Sequence, residues 1–258
     1  MSDGRPIAVL DSGVGGISVL RELLRVMPHE DYLFLGDTKN APYGTKTTDE
    51  VRRITFANVE WLLAQGAKAI VVACNTATGA AVRALRETYP DLPVVGIEPA
   101  IKPAAAVGEH PRVLVCATPL TLRQEKFSRL CARFADRADI VPLPCPGLME
   151  IVESGCTNGE PLSGYLSALF APFAGQQIDA AVLGCTHYPL VRGAIAAALE
   201  QAVGHSVPLF DGGEGTAREA ARRIEAAGLS GGGSGHVTFI NTEPEQGSAL
   251  FEKLLYQE

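Results

Sequence analysis

The stretch Ala69-Ile70-Val71-Val72-Ala73-Cys74-Asn75-Thr76 decides the fold that we predict for this chain. Its first residues are apolar and partly β-branched, which is typical of a buried strand. Asn75 and Thr76 are residue types that begin helices, and a helical pattern follows from residue 77 to 85. We therefore expect Cys74 at the carboxyl end of a strand and beside a helix N-terminus. The helix dipole and the free backbone N–H groups stabilise a thiolate at such a position.

The same arrangement occurs a second time at Ala180-Ala181-Val182-Leu183-Gly184-Cys185-Thr186-His187. A helical pattern follows from about residue 189 to 203. Two copies of strand, cysteine, polar pair and helix predict two similar halves, each of which offers one thiol at a strand end.

The strands alternate with helices along the chain, which predicts an α/β fold with mostly parallel sheets flanked by helices. We expect two similar domains with the active site in the cleft between them. The first domain is predicted to be discontinuous and to comprise residues 1–97 plus 208–258, and the second domain comprises residues 98–207. A helix predicted near residues 244–255 ends the first domain.

Composition narrows the class of protein. The chain has 258 residues, of which 47% are hydrophobic and 20% are charged, as in globular proteins. A formal net charge of −7 disfavours nucleic acid and anionic membranes as main partners. Neither a signal-peptide pattern nor an apolar run of about 20 residues is present, so we expect a cytoplasmic protein without membrane association.

Six cysteines occur without a C-x-x-C pair, and we expect free thiols in a reducing compartment. A zinc site normally shows close pairs of ligands, and Cys185 with His187 is the nearest such pair. The pattern therefore favours catalytic thiols and no metal. We assign no role to the remaining four cysteines, at positions 116, 131, 145 and 156.

Four loops are predicted at the carboxyl ends of strands, where ligands bind in parallel α/β sheets. The residues that they supply are Asp11 and Ser12; Asp37, Tyr43 and Gly44; Cys74, Asn75 and Thr76; and Cys185, Thr186 and His187.

The glycine loop at residues 11–16 does not match a nucleotide-binding motif. A dinucleotide fingerprint needs glycine where Ser18 stands, and the G-K-[ST] of a P-loop is absent. Backbone N–H groups at a helix start suit a small anion such as a carboxylate. A plain tight turn is the other interpretation, although Asp11 and Ser12 beside it favour a functional loop.

Each candidate also has a purely structural interpretation. A free cysteine is most often a core residue, although the matched positions of Cys74 and Cys185 argue against that here. His187 is either a structural cap or a group that polarises or protonates the nearby thiol. Asp11 either acts on Cys74 or is an exposed turn residue. Tyr43 and Gly44 on their own indicate only a turn.

Two facing thiols, carboxylate-binding loops and no cofactor motif suit the inversion of a stereocentre by proton transfer. One thiolate removes the α-proton from one face, and the other thiol protonates the planar intermediate on the opposite face. A positioned acid or base typically accelerates such a step by about 10²–10⁴-fold.

Four motifs in this order resemble the glutamate racemases of the cofactor-independent aspartate/glutamate racemase superfamily: 11–16 (DSGVGG), 36–38 (GDT) with 42–44 (PYG), 74–77 (CNTA) and 184–189 (GCTHYP). The resemblance implies interconversion of L- and D-glutamate without cofactor or metal, to supply D-glutamate for peptidoglycan. It implies that Cys185 acts on L-glutamate and Cys74 on D-glutamate, with Asp11 and His187 assisting the nearer cysteine.

The resemblance also implies a set of substrate-binding residues: Asp11, Ser12, Tyr43, Gly44, Asn75, Thr76, Thr186 and His187. Asp37, Glu153 and Thr118 match positions near the site, with roles that the resemblance leaves open. Family members are often homodimers, so a homodimer is expected. Two alternatives stay open at this point: another racemase of the superfamily, acting on aspartate or a hydantoin, and a non-catalytic amino-acid-binding regulator.

Overall fold

The computed structural model of the chain describes residues 3–243 and 249–256. Its residues form two compact units. One unit is Met1–Glu98 with Gly213–Glu258, and the other is Pro99–Gly212. The start of the helix predicted near residues 244–255 lies outside the described residues.

The first unit begins with alternating strands and helices: β1 (Ile7–Asp11), α1 (Ile17–Val26), β2 (Tyr32–Gly36), α2 (Thr48–Ala64), β3 (Ala69–Val72), α3 (Asn75–Thr88) and β4 (Val94–Gly96). The second unit follows with α4 (Ile101–Ala104), β5 (Arg112–Ala117), α5 (Pro119–Arg123), α6 (Glu125–Ala132), β6 (Asp139–Pro144), α7 (Leu148–Glu153), α8 (Leu162–Phe170), β7 (Ala180–Leu183), α9 (Arg192–Val203) and β8 (Leu209–Asp211). The chain then returns to the first unit with α10 (Gly213–Ala226), β9 (Val237–Asn241) and α11 (Ala249–Tyr256).

Both sheets are parallel and share one strand order. The first sheet has the order β4-β3-β1-β2-β9, and the second has the order β6-β5-β7-β8. In each sheet the first strand of the unit lies between the second and the third, and the fourth lies outside the third. The predicted α/β class with two similar halves is thereby confirmed, and β9 is an addition to the first sheet.

Burial explains why the strand predictions succeed. All residues of β1, β2, β3 and β7 are buried, as expected for parallel strands that helices cover on both faces. Such strands appear in a sequence as short continuous apolar runs. Helix α2 buries the stripe from Val51 to Leu62 against the sheet side of the unit and leaves Trp61 43% exposed.

The predicted boundary of the second domain at residue 207 needs a correction. We placed residues from 208 onward in the first domain, but β8 pairs in parallel with β7 of the second sheet. The chain crosses to the first unit only at Gly213. The apolar residues around Phe210 predict a strand, and the partner of that strand depends on tertiary pairing.

A buried ion pair joins the segments that precede β2 and β3 in the first unit. Lys68 Nζ lies 2.6 Å from Glu30 Oε2, and both side chains are almost fully buried. Lys68 Nζ also donates to the carbonyl of Asp3 at 2.6 Å, and Glu30 Oε1 accepts from the backbone N–H of Gly231 at 2.6 Å. The pair therefore joins the N-terminal segment to the glycine-rich segment before β9.

We expect Lys68→Met to lower the free energy of unfolding of this protein by about 3–5 kcal/mol, because it leaves the Glu30 carboxylate buried without its counter-charge. Urea unfolding followed by circular dichroism measures the change. The double variant with Glu30→Leu should recover much of that loss. Arg83→Met, which breaks the exposed pair of Arg83 with Glu87, should cost no more than about 1 kcal/mol. A Lys68→Met protein as stable as the Arg83→Met protein would contradict this account.

Candidate active site

The candidate residues lie where the strand order of each sheet reverses. In the first unit, β2 and β3 lie on opposite sides of β1, and in the second unit β6 and β7 lie on opposite sides of β5. A crevice forms at such a point beyond the carboxyl ends of the strands, and ligands bind there in parallel α/β sheets. Cys74 follows β3 and Cys185 follows β7, so the two cysteines occupy equivalent positions in the two units.

Cys74 is itself the N-cap residue of α3, which begins at Asn75. We expected Asn75 or Thr76 to cap a helix that starts at 77, so the helix begins two residues earlier than predicted. The Cys74 sulfur lies 3.7 Å from Ser12 Oγ, at the end of the adjacent strand β1. Cys74 is 6% exposed. The buried thiol therefore lies at the positive end of a helix dipole.

Asn75 carries an amide whose hydrogen-bonding capacity is unused. Its Nδ2 and Oδ1 atoms are both buried, and neither has a hydrogen-bond partner among the described residues. Leaving a buried polar group unpaired costs about 1–3 kcal/mol, so native proteins rarely do so without a ligand or an ordered water. Thr76, one residue along α3, is also buried. These two side chains form the polar N-terminal turn of the helix.

Asp11 is fully buried at the end of β1, so the interpretation of Asp11 as an exposed turn residue was wrong. Its Oδ1 accepts a hydrogen bond from the N–H of Gly13 at 3.0 Å. A Cβ atom at Gly16 would lie 2.5 Å from the Asp11 Cβ atom. Glycine at this position therefore lets α1 begin directly against the aspartate.

The carboxylate of Asp37 accepts hydrogen bonds from several side chains in and around the second loop. Its buried carboxylate accepts from the hydroxyl of Tyr43 at 2.5 Å, from Asn58 Nδ2 at 2.9 Å, from Thr242 Oγ1 at 2.8 Å and from Asn40 Nδ2 at 3.0 Å. Burial raises the pKa of Tyr43 far above its ordinary value, and the Asp37 charge and hydrogen bond add to that rise, followed by smaller contributions from Cys74 and Asp11. Tyr43 is therefore a neutral phenol whose proton lies toward Asp37. Gly44 follows it in a short 3₁₀ turn at Tyr43–Thr45 and is partly buried.

The element that follows Cys185 differs from the α-helix that follows Cys74. We expected a helix from about residue 189, but a 3₁₀ turn at Tyr188–Val191 separates the cysteine from α9. The Cys185 carbonyl accepts from the N–H of Tyr188 at 3.1 Å. An α-helix would need the donor four residues on, at Pro189, and proline has no N–H. The thiol of Cys185 consequently does not lie at an α-helix N-terminus.

At Cys185 a histidine and a carboxylate lie where Cys74 has the N-terminus of α3. His187 Nδ1 lies 3.7 Å from the Cys185 sulfur, and His187 Nε2 lies 2.5 Å from Glu153 Oε1. Burial by itself lowers the pKa of His187, but the hydrogen bonds to Cys185 and Glu153 outweigh it and hold the pKa well above the ordinary value of 6.5. His187 is therefore an imidazolium at neutral pH that links the thiol to Glu153, the last residue of α7.

Two candidate threonines of the second unit, Thr118 and Thr186, lie just beyond the carboxyl ends of β5 and β7. Thr186 is buried between Cys185 and His187 in the chain. Thr118 follows β5 and caps α5, because its Oγ1 accepts from the N–H of Thr121 at 3.2 Å. Gly184 approaches β5 closely: its N–H donates to the Cys116 carbonyl at 2.7 Å, and a Cβ atom there would lie 2.8 Å from that oxygen.

The structure thus assembles the predicted residues in two groups. Asp11, Ser12, Tyr43, Cys74, Asn75 and Thr76 form the first group, in the first unit, and Cys185, Thr186, His187 and Glu153 form the second, in the second unit. Sequence reasoning missed Asn58 and Thr242, which bind Asp37. An asparagine on a helix and a threonine after a strand give no local signal of such a contact.

Other kinds of site are not supported by the part of the chain that the structure describes. Its His, Cys, Asp and Glu residues form no group of three that could hold a metal ion. Its helices are each too short or too polar to cross a bilayer.

Comparisons with known proteins agree with the resemblance seen in the sequence. The family model described as Asp/Glu/Hydantoin racemase matches residues 9–220. A glutamate racemase of Clostridium perfringens is 49% identical over 220 residues, which are 85% of this chain and 83% of the relative. A glutamate racemase of Clostridium botulinum is 45% identical over 244 residues, which are 95% of this chain and 89% of the relative.

Solved structures give the same result. The glutamate racemase of Francisella tularensis in complex with D-glutamate has a TM-score of 0.84 and 27% identity, and the match covers 99% of this chain and 95% of that one. The Escherichia coli glutamate racemase in complex with L-glutamate and the activator UDP-MurNAc-ala has a TM-score of 0.82 and 31% identity, covering 97% and 95%. The predicted resemblance is confirmed, and the chain belongs to the Asp/Glu/Hydantoin racemase family.

Proposed function

We propose that this chain interconverts L- and D-glutamate by proton transfer at the α-carbon, with Cys74 and Cys185 as the two acid/base groups. The observation that carries the proposal is the equivalence of the two cysteines, each of which follows the third strand of a sheet with the same strand order. Each thiol has a polar neighbour: Ser12 Oγ lies 3.7 Å from the Cys74 sulfur, and His187 Nδ1 lies 3.7 Å from the Cys185 sulfur. A protein that only binds an amino acid needs neither thiol.

The proposed reaction moves one proton off the substrate and one proton onto it. The Cys185 thiolate takes the α-proton of L-glutamate and becomes a thiol. The Cys74 thiol gives its proton to the opposite face of the planar carbanion and becomes a thiolate. The product is D-glutamate, and the same steps in reverse convert D- to L-glutamate. The two cysteines end each turnover with their protonation states exchanged.

The surroundings of each thiol suit its part in this cycle. An imidazolium at His187 stabilises a thiolate at Cys185, and Glu153 holds that positive charge in place. The N-terminus of α3 stabilises a thiolate at Cys74. Asp11 is proposed to assist Cys74, which lies at the end of the neighbouring strand.

Glutamate is proposed as the substrate on two grounds. The structures of relatives from Francisella tularensis and Escherichia coli contain D-glutamate and L-glutamate, respectively. The unused amide of Asn75 offers a donor and an acceptor to a carboxylate and an ammonium group. Ser12, Tyr43, Gly44, Thr76, Thr186 and His187 are proposed to complete the binding of the two carboxylates and the ammonium group.

The proposal extends to the role of the reaction. D-glutamate made without cofactor or metal would supply peptidoglycan synthesis in the cytoplasm, as the family resemblance implies. A homodimer is part of the same proposal and rests on the resemblance alone. Its test is the molar mass of the protein in solution.

Cys74→Ser and Cys185→Ser should each lower the rate of racemisation by about 10²-fold or more, because a serine hydroxyl is a far weaker acid than a thiol and each half-reaction loses its proton carrier. Circular dichroism measures the rate with each enantiomer. Solvent deuterium at the α-carbon, measured by NMR, should appear first in the product enantiomer with the native protein.

Cys131→Ser is the matched control, since Cys131 lies on α6 outside the candidate site, and its rate should stay native. Native racemisation by either Cys74→Ser or Cys185→Ser would exclude the two-thiol mechanism. A native protein that inverts aspartate or a hydantoin but not glutamate would replace the proposed substrate. Tight glutamate binding without any α-proton exchange would instead favour a regulator.

Glu153→Gln should lower the pKa of His187 toward its ordinary value, because the neutral amide no longer stabilises the imidazolium. The ring-proton resonances of His187 in an NMR titration report the change directly. A histidine whose pKa is raised by folding adds stability that is complete below the unfolded value of about 6.5 and is lost as pH rises through the folded value. Glu153→Gln should therefore destabilise the protein most between pH about 5 and 6.5.

Glu150→Gln provides the control, because Glu150 is exposed on the same helix. It should leave both the His187 titration and the pH dependence of stability unchanged. An identical His187 titration in the Glu153→Gln and native proteins would show that Glu153 does not hold the imidazolium.

A further inference from the structure

A threonine from the C-terminal part of the chain reaches the loop that carries Tyr43. Thr242 directly follows β9, and its N–H donates to the carbonyl of Gly36 at 3.1 Å. Its hydroxyl donates to Asp37 Oδ1 at 2.8 Å and accepts from the N–H of Lys39 at 3.1 Å. One side chain therefore joins the end of β9 to two successive parts of the loop.

The same carboxylate fixes the phenol of Tyr43. Thr242 donates to Asp37 Oδ1, the Tyr43 hydroxyl and Asn58 donate to Oδ2, and Asn40 Nδ2 donates to both oxygens. Because Asp37 is fully buried, its plane is set by these donors and not by water. Tyr43, which is 1% exposed, donates its proton to Oδ2 and so takes its position from the carboxylate.

Asn241, which precedes Thr242, also links the end of β9 to the loop that carries Tyr43. Asn241 Oδ1 is hydrogen bonded to the hydroxyl of Thr38 and accepts from the N–H of Glu243 at 2.9 Å. Asn241 and Thr242 thus both bind the loop at residues 38–39. The strand that presents them, β9, has no counterpart in the second sheet, and both residues lie beyond residue 220, where the match to the family model ends.

We propose that Thr242 is a positioning residue for glutamate racemisation, which acts through Asp37 to hold Tyr43 and the turn with Gly44 in the orientation that binds substrate. This inference rests on the proposed function of the site. Removal of the hydroxyl leaves Asp37 Oδ1 with one donor fewer and the Lys39 N–H without its acceptor. The carboxylate is then held by Asn40, Asn58 and Tyr43 alone, and its plane shifts together with the phenol bonded to it.

Thr242→Val keeps the shape of the side chain and removes its hydroxyl. We expect the KM for glutamate to rise roughly 3- to 10-fold, which corresponds to the loss of one hydrogen bond, with a much smaller change in kcat. Thr242→Ser keeps the hydroxyl and should restore the native KM. Thr238→Val, on the exposed side of the same strand, is the matched control and should change neither constant.

A double-mutant cycle tests the route through Asp37. In an Asp37→Asn protein, Thr242→Val should raise KM by no more than a small further factor, because the carboxylate that it orients is already gone. If Thr242→Val raises KM by the same factor in the native and the Asp37→Asn proteins, the proposal is overturned. A Thr242→Ser protein with the KM of Thr242→Val, or an effect on kcat alone, would overturn it as well.

A readout without turnover separates this inference from the proposed function. The protein is labelled with 3-fluorotyrosine, and Tyr43→Phe assigns the ¹⁹F resonance of Tyr43. That resonance should shift in Thr242→Val and not in Thr238→Val. A shift in a protein that racemises neither enantiomer of glutamate would support the positioning of Tyr43 and refute the function. An unmoved resonance in a protein that racemises glutamate would refute the positioning alone.

Discussion

The reversal of strand order beside the first strand of each sheet is the constraint on which the candidate site depends. Neighbouring strands there have helices on opposite faces, so their carboxyl ends leave a crevice that no helix fills. β1 and β3 bring Ser12 and Cys74 to one such crevice, where their side chains touch. β5 and β7 bring Thr118 and Cys185 to the other. The strand order by itself therefore brings the polar residues at these strand ends together.

The sequence predicted the strands and the strand-end residues well because both are local signals. A buried parallel strand appears as a short apolar run, and the runs before Cys74 and Cys185 are the strands β3 and β7 of the structure. Cys74 and Cys185 were found because each follows such a run. The helix predicted after Cys185 is present, but it begins at Arg192 and not at Pro189. The missing N–H of Pro189 leaves the cysteine carbonyl to the N–H of Tyr188.

What the sequence did not predict depends on tertiary contacts. The partner of the strand at Leu209–Asp211 follows from sheet pairing and not from its own residues. Asn58 and Thr242 reach Asp37 from positions 21 and 205 residues away, and no spacing rule connects such distances. Glu153 matched a family position, but its contact with His187 required the geometry of α7. Site residues at strand ends are therefore predictable, whereas the residues that orient them are not.

The two thiols have different stabilising groups, a helix N-terminus at Cys74 and His187 at Cys185, and this difference has a thermodynamic consequence. The charge at a helix terminus is permanent, whereas the imidazolium beside Cys185 can lose its proton. Enantiomers have equal free energies in water, so the equilibrium constant of a racemisation is one at every pH. The Haldane relation then requires the same specificity constant for both enantiomers, however differently the two sulfurs are stabilised. The difference in stabilisation can therefore change only the proportions of free and substrate-bound enzyme in each protonation state. The maximal rate and the half-saturating concentration can differ between the two directions, as long as their ratio stays the same.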